Sequence, residues 1–445
     1  MPVTPPSPEE LREEIDQLRA DRQRLRVEAA DAQARALSLR ASFTHAVLLA
    51  GGRTLGAVRN LVAGRRARGT PGAAHVEPYR VRQLQPTRGD RPRVLHVIAN
   101  FHLGGSARLV VDLVEGLGHA WEQSVVSWLL PPTPAYVGID VAHHPGRSVD
   151  DALRVIAARR PAMIHVHYLG HHGDKYGVRD WEWYRHWFAA AERAGIPVIE
   201  NINIPTEPFV SAAVACYVHV SDYVRERYGR RDGRHVTIYP GSDLRMFSPR
   251  DGAEPPDDCL GMVYRLARDK LDDRAVDPFI EAARIRPATR VLIVGGGVLL
   301  DAHRQRVAEA GLESAFTFAG YANYDALPAL YAGMSVFVAP VHTESFGQVS
   351  PFAMGMHLPV IGYDVGAIPE IVGDASLIAP AGDSRRLGEI AAGLLDDRAR
   401  RLAIGEANRR RAERLFSVEA MVAAYETLYR ELAPLPAEIS KTGTP

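Results

Sequence analysis

Short apolar runs and amphipathic stretches alternate along the chain from residue 93 to residue 432. The run RVLHVI at 93–98 is rich in β-branched residues, which is typical of a buried parallel strand, and the helical pattern ARLVVDLVEGLG follows it. Similar runs predict strands at QSVVSWLL, MIHVH, PVIENI, CYVHVS, LGMVYRL, RVLIVGGG, FTFAG, SVFVAP and LPVIGY. Strands that alternate with helices in this way predict parallel, doubly wound α/β sheets.

Helical patterns separate these strands and continue after the last one. They are found at 148–159, 182–194, 299–310, 325–332, 351–356, 383–396, 398–414 and 417–432. A Pro-rich, acidic break at 245–258 divides the strands into two sets. We therefore expect two facing Rossmann-like domains, at 93–248 and 259–416, followed by a C-terminal helix at 417–432 and a tail at 433–445. Ligands of such sheets bind at the carboxyl ends of the strands, so the cleft between the domains is the expected site.

The first 92 residues follow a different pattern. From Leu11 to Ala46, positions such as Ile15, Leu18 and Leu25 are spaced alternately by four and three residues, which is a heptad seam. We expect a coiled-coil helix within residues 1–68 that forms a homo-oligomer, and a Pro-, Gly- and Arg-rich linker at 69–92. The alternative is a single amphipathic helix that packs on its own protein. Residues 44–68 mix apolar and arginine positions, which fits a solvated helix end or a peripheral contact with an anionic membrane.

Composition excludes several classes of protein. The 53 basic and 53 acidic residues cancel, so no global field attracts nucleic acid. Two cysteines cannot form a disulfide framework, and no apolar run approaches the roughly 20 residues that span a bilayer. The N-terminus shows no secretory signal pattern. We expect a cytoplasmic protein, with peripheral contact at the inner face of the membrane left open.

The segment ESFGQVSPF at 344–352 combines an acid, a glycine loop and a helix start directly after a predicted strand. Glu344 stands where the carboxyl end of that strand is expected, and the loop contains Gly347. Ser350 followed by Pro351 is typical of an N-cap and a first helical residue, which places Phe352 in the first helical turn.

Two other places suggest phosphate binding. Arg265 and Lys270 follow a predicted strand within YRLARDKL, and together they can neutralise a diphosphate. The turn at 104–106, which includes Gly105, lies between a strand and a helix, where backbone N–H groups can approach a phosphate closely.

Histidines are concentrated in PAMIHVHYLGHHGD at 161–174. His165 and His167 alternate along one predicted strand, and we expect their side chains to point to opposite faces. Together with His171, His172 and Asp174 they raise the question of a metal, but their spacing matches no usual metal site, so none is expected. The glycines at 295–297 lack the third spaced glycine of a dinucleotide fingerprint, which argues against a nicotinamide cofactor. Low-specificity contacts to an acceptor are expected at Asn203, Glu207, Ser221 and Asp222.

The stretch from ESFGQVSPF through AMGMHLPVIGYDVGAIPEIV, with YRLARDKL and HVIANFHLGGSARLVVDLVEGL, resembles the family 4 glycosyltransferases. The resemblance covers roughly residues 93–432 and is strongest from 259 onward. It implies a GT-B fold and the retaining transfer of a hexose from a nucleotide-activated, or otherwise phosphate-activated, donor to a glycan or lipid-linked acceptor in polysaccharide biosynthesis. It also implies that no metal cofactor is required.

The resemblance assigns roles to individual residues. It implies that Glu344 and His167 are catalytic and that the donor is bound by Gly105, Arg265, Lys270, Phe346, Gly347, Gln348, Val349 and the residue at position 352. Phe352 departs from the family, which has a second glutamate there that accepts hydrogen bonds from the ribose. Three explanations are open: another group replaces that acceptor, the donor lacks a nucleoside or holds it differently, or the site is impaired. The last case implies a GT-B-like scaffold that recruits partners through its coiled coil, whereas a working site predicts that Phe352→Glu strengthens nucleotide binding.

Overall fold

The computed structural model describes residues 79–81, 91–101, 104–130, 136–168, 180–250 and 255–433. Segments Pro78–His171 and Asp180–Pro445 belong to one compact unit. The predicted coiled coil and most of the predicted linker lie outside the described residues.

The first half of the described chain alternates strands and helices as the apolar pattern predicts. In chain order it contains β1 (Tyr79–Arg80), β2 (Arg93–Asn100), α1 (Gly105–Leu117), β3 (Glu122–Leu129), β4 (Tyr136–Val137), β5 (Val141–His143), α2 (Val149–Arg159), β6 (Met163–Tyr168), α3 (Asp180–Ala194), β7 (Val198–Ile202), β8 (Val214–His219), α4 (Asp222–Tyr228) and β9 (His235–Thr237).

The second half repeats the alternation and ends in three consecutive helices. It contains β10 (Cys259–Val263), α5 (Asp277–Ile285), β11 (Arg290–Val294), α6 (Leu300–Glu309), β12 (Phe316–Gly320), α7 (Leu327–Tyr331), β13 (Val336–Ala339), α8 (Val349–Gly355), β14 (Val360–Tyr363), α9 (Ile368–Val372), β15 (Ile378–Ala379), α10 (Ser384–Asp396), α11 (Arg398–Leu415) and α12 (Val418–Leu432).

Each half forms its own parallel sheet. Among the described residues, seven strands pair in the order β5-β3-β2-β6-β7-β8-β9 and six in the order β12-β11-β10-β13-β14-β15, while β1 pairs with β4. Every residue of β6, β7, β10, β13 and β14 is buried, as expected for strands covered by helices on both faces. The prediction of two Rossmann-like domains is therefore confirmed.

The last helix does not stay with the half that precedes it. Helix α12 packs against α1 of the first half, and its Tyr425 and Tyr429 share a buried cluster with Leu109 and Leu113. Such a crossing depends on packing between residues some three hundred positions apart, which local patterns do not reveal. The described helices include none that is both long and apolar enough to cross a membrane.

Helix α8 begins earlier than the sequence predicts. It starts at Val349, and the residue before it, Gln348, makes no side-chain capping hydrogen bond. Gly347 has a φ of 77°, which turns the chain into the helix, and the N–H of Ser350 donates to its carbonyl oxygen at 2.9 Å. The expected N-cap role of Ser350 is therefore wrong, because the glycine turn places that residue inside the first turn.

Candidate donor site in the cleft

A cavity of about 530 Å³ lies where the carboxyl ends of the strands of the two halves meet. The first half contributes mainly apolar groups and backbone, from Gly105, Leu109, Asn203, Ile204, Val220 and Pro240. The second half contributes the charged groups Arg265, Lys270 and Glu344. Of the residues that the sequence assigns to donor binding, the cavity is lined by Gly105, Arg265, Lys270, Phe346, Gly347, Gln348 and Val349.

Glu344 is the buried acid of this cavity, with 4% of its surface exposed. Its Oε1 accepts a hydrogen bond from the ammonium of Lys270 and another from the N–H of Ser345 at 3.0 Å. The loop is packed closely around the acid. A Cβ at Gly347 would lie 2.9 Å from the Glu344 Cγ, and one at Gly366 would lie 2.0 Å from the Glu344 carbonyl oxygen. Both positions have positive φ, so glycine alone fits without strain.

The two cations of the cavity are held differently. Lys270 is half-buried and is paired with Glu344, so its charge already lies inside the site. Arg265 has a side chain that is 60% exposed and an ion pair with Asp269 at 2.5 Å. Exposed ion pairs contribute little free energy, so an incoming phosphate can displace Asp269 at low cost.

The loop at 345–349 also connects the two halves. The Gln348 side-chain amide donates from Nε2 to the carbonyl oxygen of Gly241 at 2.7 Å, and its Oε1 lies 3.7 Å from the position of a Cβ on Gly105. The ring of Phe346 stacks near that of Tyr239, with ring centroids 5.9 Å apart. Gln348 therefore spans the cleft with its side chain, a role that the sequence did not indicate.

Phe352 does not line the cavity. Its ring is buried and lies parallel to that of Phe247, with centroids 4.0 Å apart and an interplanar angle of 2°, and it meets the edge of Tyr324 at 5.8 Å. The structure therefore places Phe352 in the core and not in the cavity lining, and its contact with the donor stays an untested prediction. Position 352 is therefore occupied by one member of an aromatic stack.

His167 is also outside the cavity lining and is fully buried. Its ring centroid lies 4.2 Å from that of His165, so the two side chains share one face of β6. The expectation of opposite faces was wrong, because residues two apart in a strand point to the same side. The catalytic role of His167 stays an untested prediction, and its buried imidazole lies in the core of the first half.

A hydrogen-bonded chain explains how these histidines are buried. The Gln123 amide donates to the carbonyl oxygen of Leu113 at 3.0 Å, so its own oxygen accepts from Nε2 of His96 at 2.9 Å. His96 Nδ1 is then free to accept from Nε2 of His167 at 3.1 Å. Burial lowers the pKa of His96 to about 4 and lowers the pKa values of His165 and His167 well below 6.5, so all three imidazoles are neutral.

The ring nitrogens of His96, His165 and His167 lie within 4.8 Å of one another, which is close enough to surround a metal ion. The group contains no carboxylate or thiolate, so a divalent cation would be buried there without a compensating anion, at high cost. We therefore assign no metal to it. The predicted partners His171, His172 and Asp174 lie outside the described residues.

The acceptor-side candidates fall into two groups. Asn203 lines the cavity, and its Oδ1 accepts from Nδ2 of Asn201 at 2.5 Å, while Asn201 Oδ1 accepts from the hydroxyl of Tyr425 in α12. Ser221 instead caps α4 by accepting from the N–H of Val224 at 3.1 Å. Glu207 and Asp222 do not line the cavity, and Asp222 binds the side chains of Arg225 and Thr237.

The family model that matches this chain covers part of its second half. Residues 259–397 match the family model described as Glycosyl transferases group 1. The lipopolysaccharide core biosynthesis mannosyltransferase LpsB of Rhizobium meliloti is 30% identical over 221 residues, which cover 45% of this chain and 62% of the relative. A GDP-mannose-dependent alpha-(1-6)-phosphatidylinositol monomannoside mannosyltransferase of Mycobacterium tuberculosis is 30% identical over 214 residues, covering 43% of this chain and 55% of the relative. The chain thus matches less than two thirds of the length of these relatives.

Solved structures match a larger share of the chain. HepE of Anabaena, in complex with UDP and glucose, superimposes with a TM-score of 0.61 at 16% identity and covers 77% of this chain and 100% of that protein. Sucrose-phosphate synthase of Thermosynechococcus elongatus gives a TM-score of 0.60 at 19% identity and covers 77% of this chain and 99% of that protein. These similarities show that the chain has the GT-B fold.

Proposed function

We propose that this chain is a glycosyltransferase that moves a hexose from a nucleoside-diphosphate sugar to a glycan or lipid-linked acceptor. The observation that carries the proposal is the cavity between the two Rossmann-like halves, which is lined by Glu344, its partner Lys270 and a second cation, Arg265. Support comes from the match of residues 259–397 to the glycosyl transferases group 1 and from relatives named as mannosyltransferases.

The ion pair of Lys270 with Glu344 suggests how the site changes when the donor binds. A diphosphate offers Lys270 oxygen atoms of higher charge than one carboxylate, and Arg265 leaves its exposed partner Asp269 to bind the same group. Glu344 is then released towards the sugar. Its negative charge stabilises the positive charge that develops on the anomeric carbon in the transition state.

The bond changes balance without a metal or a redox cofactor. The bond from the anomeric carbon to the donor phosphate oxygen breaks, and a bond from the same carbon to the acceptor oxygen forms. The acceptor hydroxyl proton is transferred to the departing phosphate, whose charge is stabilised by Arg265 and Lys270. We infer retention of the anomeric configuration from the resemblance of the loop that begins at Glu344. Because these two cations supply the neutralising charge, we propose that no metal is needed.

The donor must be held without a carboxylate at position 352. The relative from Mycobacterium tuberculosis is named as GDP-mannose-dependent, and HepE was solved with UDP, so GDP and UDP are the first probes. We propose that the phosphates and the sugar provide most of the binding free energy, and that the ribose contacts the donor side of the cavity around Gly296 and Tyr321.

Isothermal titration of the full chain with UDP, GDP, UDP-glucose and GDP-mannose tests this function. We expect at least one of them to bind, and Arg265→Ala to weaken binding by roughly ten- to a hundredfold, because a charge-assisted contact is lost. Arg268→Ala is the matched control, since Arg268 lies in the same loop and pairs with Asp273 outside the cavity. If none of the four compounds binds, or if both variants weaken binding equally, the donor assignment is wrong.

Failure of all four ligands to bind would favour the second hypothesis, a GT-B-like scaffold without catalytic activity. The aromatic packing of Phe352 is the observation that keeps this hypothesis open. Homo-oligomerisation through residues 1–68, a cytoplasmic location and membrane contact through residues 44–68 stay predictions.

A further inference from the structure

Glu370 connects the two halves of the protein from a position outside the cavity lining. It belongs to α9 in the second half, and its two carboxylate oxygens accept hydrogen bonds from two successive backbone N–H groups of the first half. These are the N–H of Asp222, at 2.7 Å, and the N–H of Tyr223, at 2.9 Å. One side chain therefore makes two charge-assisted contacts across the cleft.

The two amides belong to the first residues of α4, where a helix leaves its backbone N–H groups without helical partners. The next two amides of α4 are satisfied locally. The N–H of Val224 donates to the hydroxyl of Ser221 at 3.1 Å, and the N–H of Arg225 donates to the Ser221 carbonyl oxygen at 3.0 Å. Glu370 thus completes the hydrogen bonding of this helix start from the opposite half.

Helix α9 is also hydrogen-bonded to the loop that begins at Glu344. The N–H of Ala367, just before α9, donates to the carbonyl oxygen of Glu344 at 3.2 Å. Arg411 of α11 holds the other end by donating to the carbonyl oxygens of Glu370 at 2.7 Å and Ile371 at 2.9 Å. Because both ends are fixed, Glu370 cannot move far without moving the loop that carries Glu344.

The first-half end of the contact lies directly beside the cavity. Val220 lines the cavity and is two residues before Asp222. Tyr239 adds a second connection between the two halves. Its hydroxyl lies 3.4 Å from Asp222 Oδ2, and its ring stacks near Phe346 in the loop that begins at Glu344. Burial and the Glu370 carboxylate raise the pKa of the Tyr239 phenol, so it stays a hydrogen-bond donor.

We propose that Glu370 is a positioning residue that clamps the start of α4. It thereby holds the first-half wall of the cavity, at Val220, against the loop that begins at Glu344. Its effect on turnover rests on the proposed function, whereas the clamp itself is a contact between the two halves that can be tested without turnover. Loss of the clamp loosens the start of α4 against the second half, while the donor-binding groups of the second half stay in place.

Hydrogen exchange with residue-level fragmentation, on the full chain, tests the clamp directly. In Glu370→Gln the new NH₂ group opposes one of the two backbone N–H groups. We therefore expect the amides of Asp222 and Tyr223 to exchange roughly ten- to a hundredfold faster, with β10 and β13 unchanged. Glu389→Gln is the control, because within the described part of the chain Glu389 pairs with two exposed arginines, at 3.2 and 3.3 Å. Unchanged exchange at both amides, or faster exchange throughout the chain, would overturn the clamp.

Turnover gives a second readout that a general structural role would not produce. For whichever of UDP-glucose and GDP-mannose the wild type hydrolyses, Glu370→Gln should lower kcat about tenfold or more and leave the KM for the donor within about twofold. A rise in donor KM that matches the fall in kcat would overturn the positioning role. If the wild type binds neither nucleotide, the proposed function fails, and the exchange experiment still decides the clamp by itself.

Discussion

Replacing Phe352 with alanine separates packing from donor binding. The ring is 5% exposed and stacks on Phe247 at a centroid distance of 4.0 Å, so its removal leaves a cavity between Phe247 and Tyr324. Truncation of a buried phenylalanine costs about 3–5 kcal/mol of unfolding free energy. Phe352 does not line the cleft cavity that contains Lys270 and Glu344. We therefore expect the Kd for a bound nucleotide to change less than about threefold, which corresponds to roughly 0.7 kcal/mol.

Urea unfolding followed by circular dichroism measures the first quantity, and calorimetric titration with UDP or GDP measures the second. Phe279→Ala is a matched control, because Phe279 is fully buried in the same core but lies outside the cavity lining. Both variants should lose stability to a similar extent and keep nucleotide affinity. A tenfold or greater loss of affinity in the Phe352 variant alone would refute the reasoning, since it would mean that this ring contacts the donor.

The same geometry revises the prediction made from the sequence for Phe352→Glu. A carboxylate at this position would lie against the face of Phe247 and be desolvated. That desolvation costs several kcal/mol unless a hydrogen-bond donor reaches the carboxylate. We now expect this variant to be less stable than the alanine variant and to gain no nucleotide affinity. Tighter binding by a folded Phe352→Glu protein would show that the glutamate turns into the cavity and contradict this expectation.

Three further predictions follow from the contacts of the site and its surroundings. Lys270→Ala should weaken nucleotide binding by roughly ten- to a hundredfold in titration calorimetry. It should also lower the unfolding free energy, because it leaves the buried Glu344 without its cation. Lys270→Arg, which keeps the charge, should retain most of the nucleotide affinity. Acidification from pH 7.5 to pH 5 should lower the unfolding free energy by about 2 kcal/mol through His96 alone, because its imidazole stays neutral in the folded protein while the unfolded chain binds a proton below about pH 6.5. Urea unfolding at both pH values should show a smaller decrease in unfolding free energy for His96→Gln. Light scattering should give more protomers per oligomer for the full chain than for a truncation starting at Arg91, and an equal oligomeric state for both would rule out the heptad seam as the cause of association.

The strands were predictable because each is a short, continuous apolar run, and in a parallel sheet covered on both faces burial decides nearly every position. β2, β10 and β13 begin and end within about three residues of the runs that predict them. The short helices α4 and α9 were not predicted. They contain seven and five residues, and the contact made by Glu370 of α9 depends on a residue 148 positions away.

The charged part of the site was predictable for a different reason. Arg265, Lys270 and Glu344 lie in the loops that follow β10 and β13, and the carboxyl ends of parallel strands meet at one edge of a sheet. His167 and Phe352 are also close to this edge in sequence, but their side chains point into the core. That direction depends on α12 crossing onto the first sheet and on Phe247 packing under α8, and neither contact can be deduced from local sequence.

A crystal structure of the full chain with the nucleoside diphosphate that it binds would test the central claim most directly. We expect the diphosphate oxygens to lie within about 3 Å of both Lys270 Nζ and the Arg265 guanidinium, with the Lys270–Glu344 contact broken and the acid turned towards the sugar position. A diphosphate bound elsewhere, with Lys270 still paired to Glu344, would contradict the assignment of this cavity as the donor site.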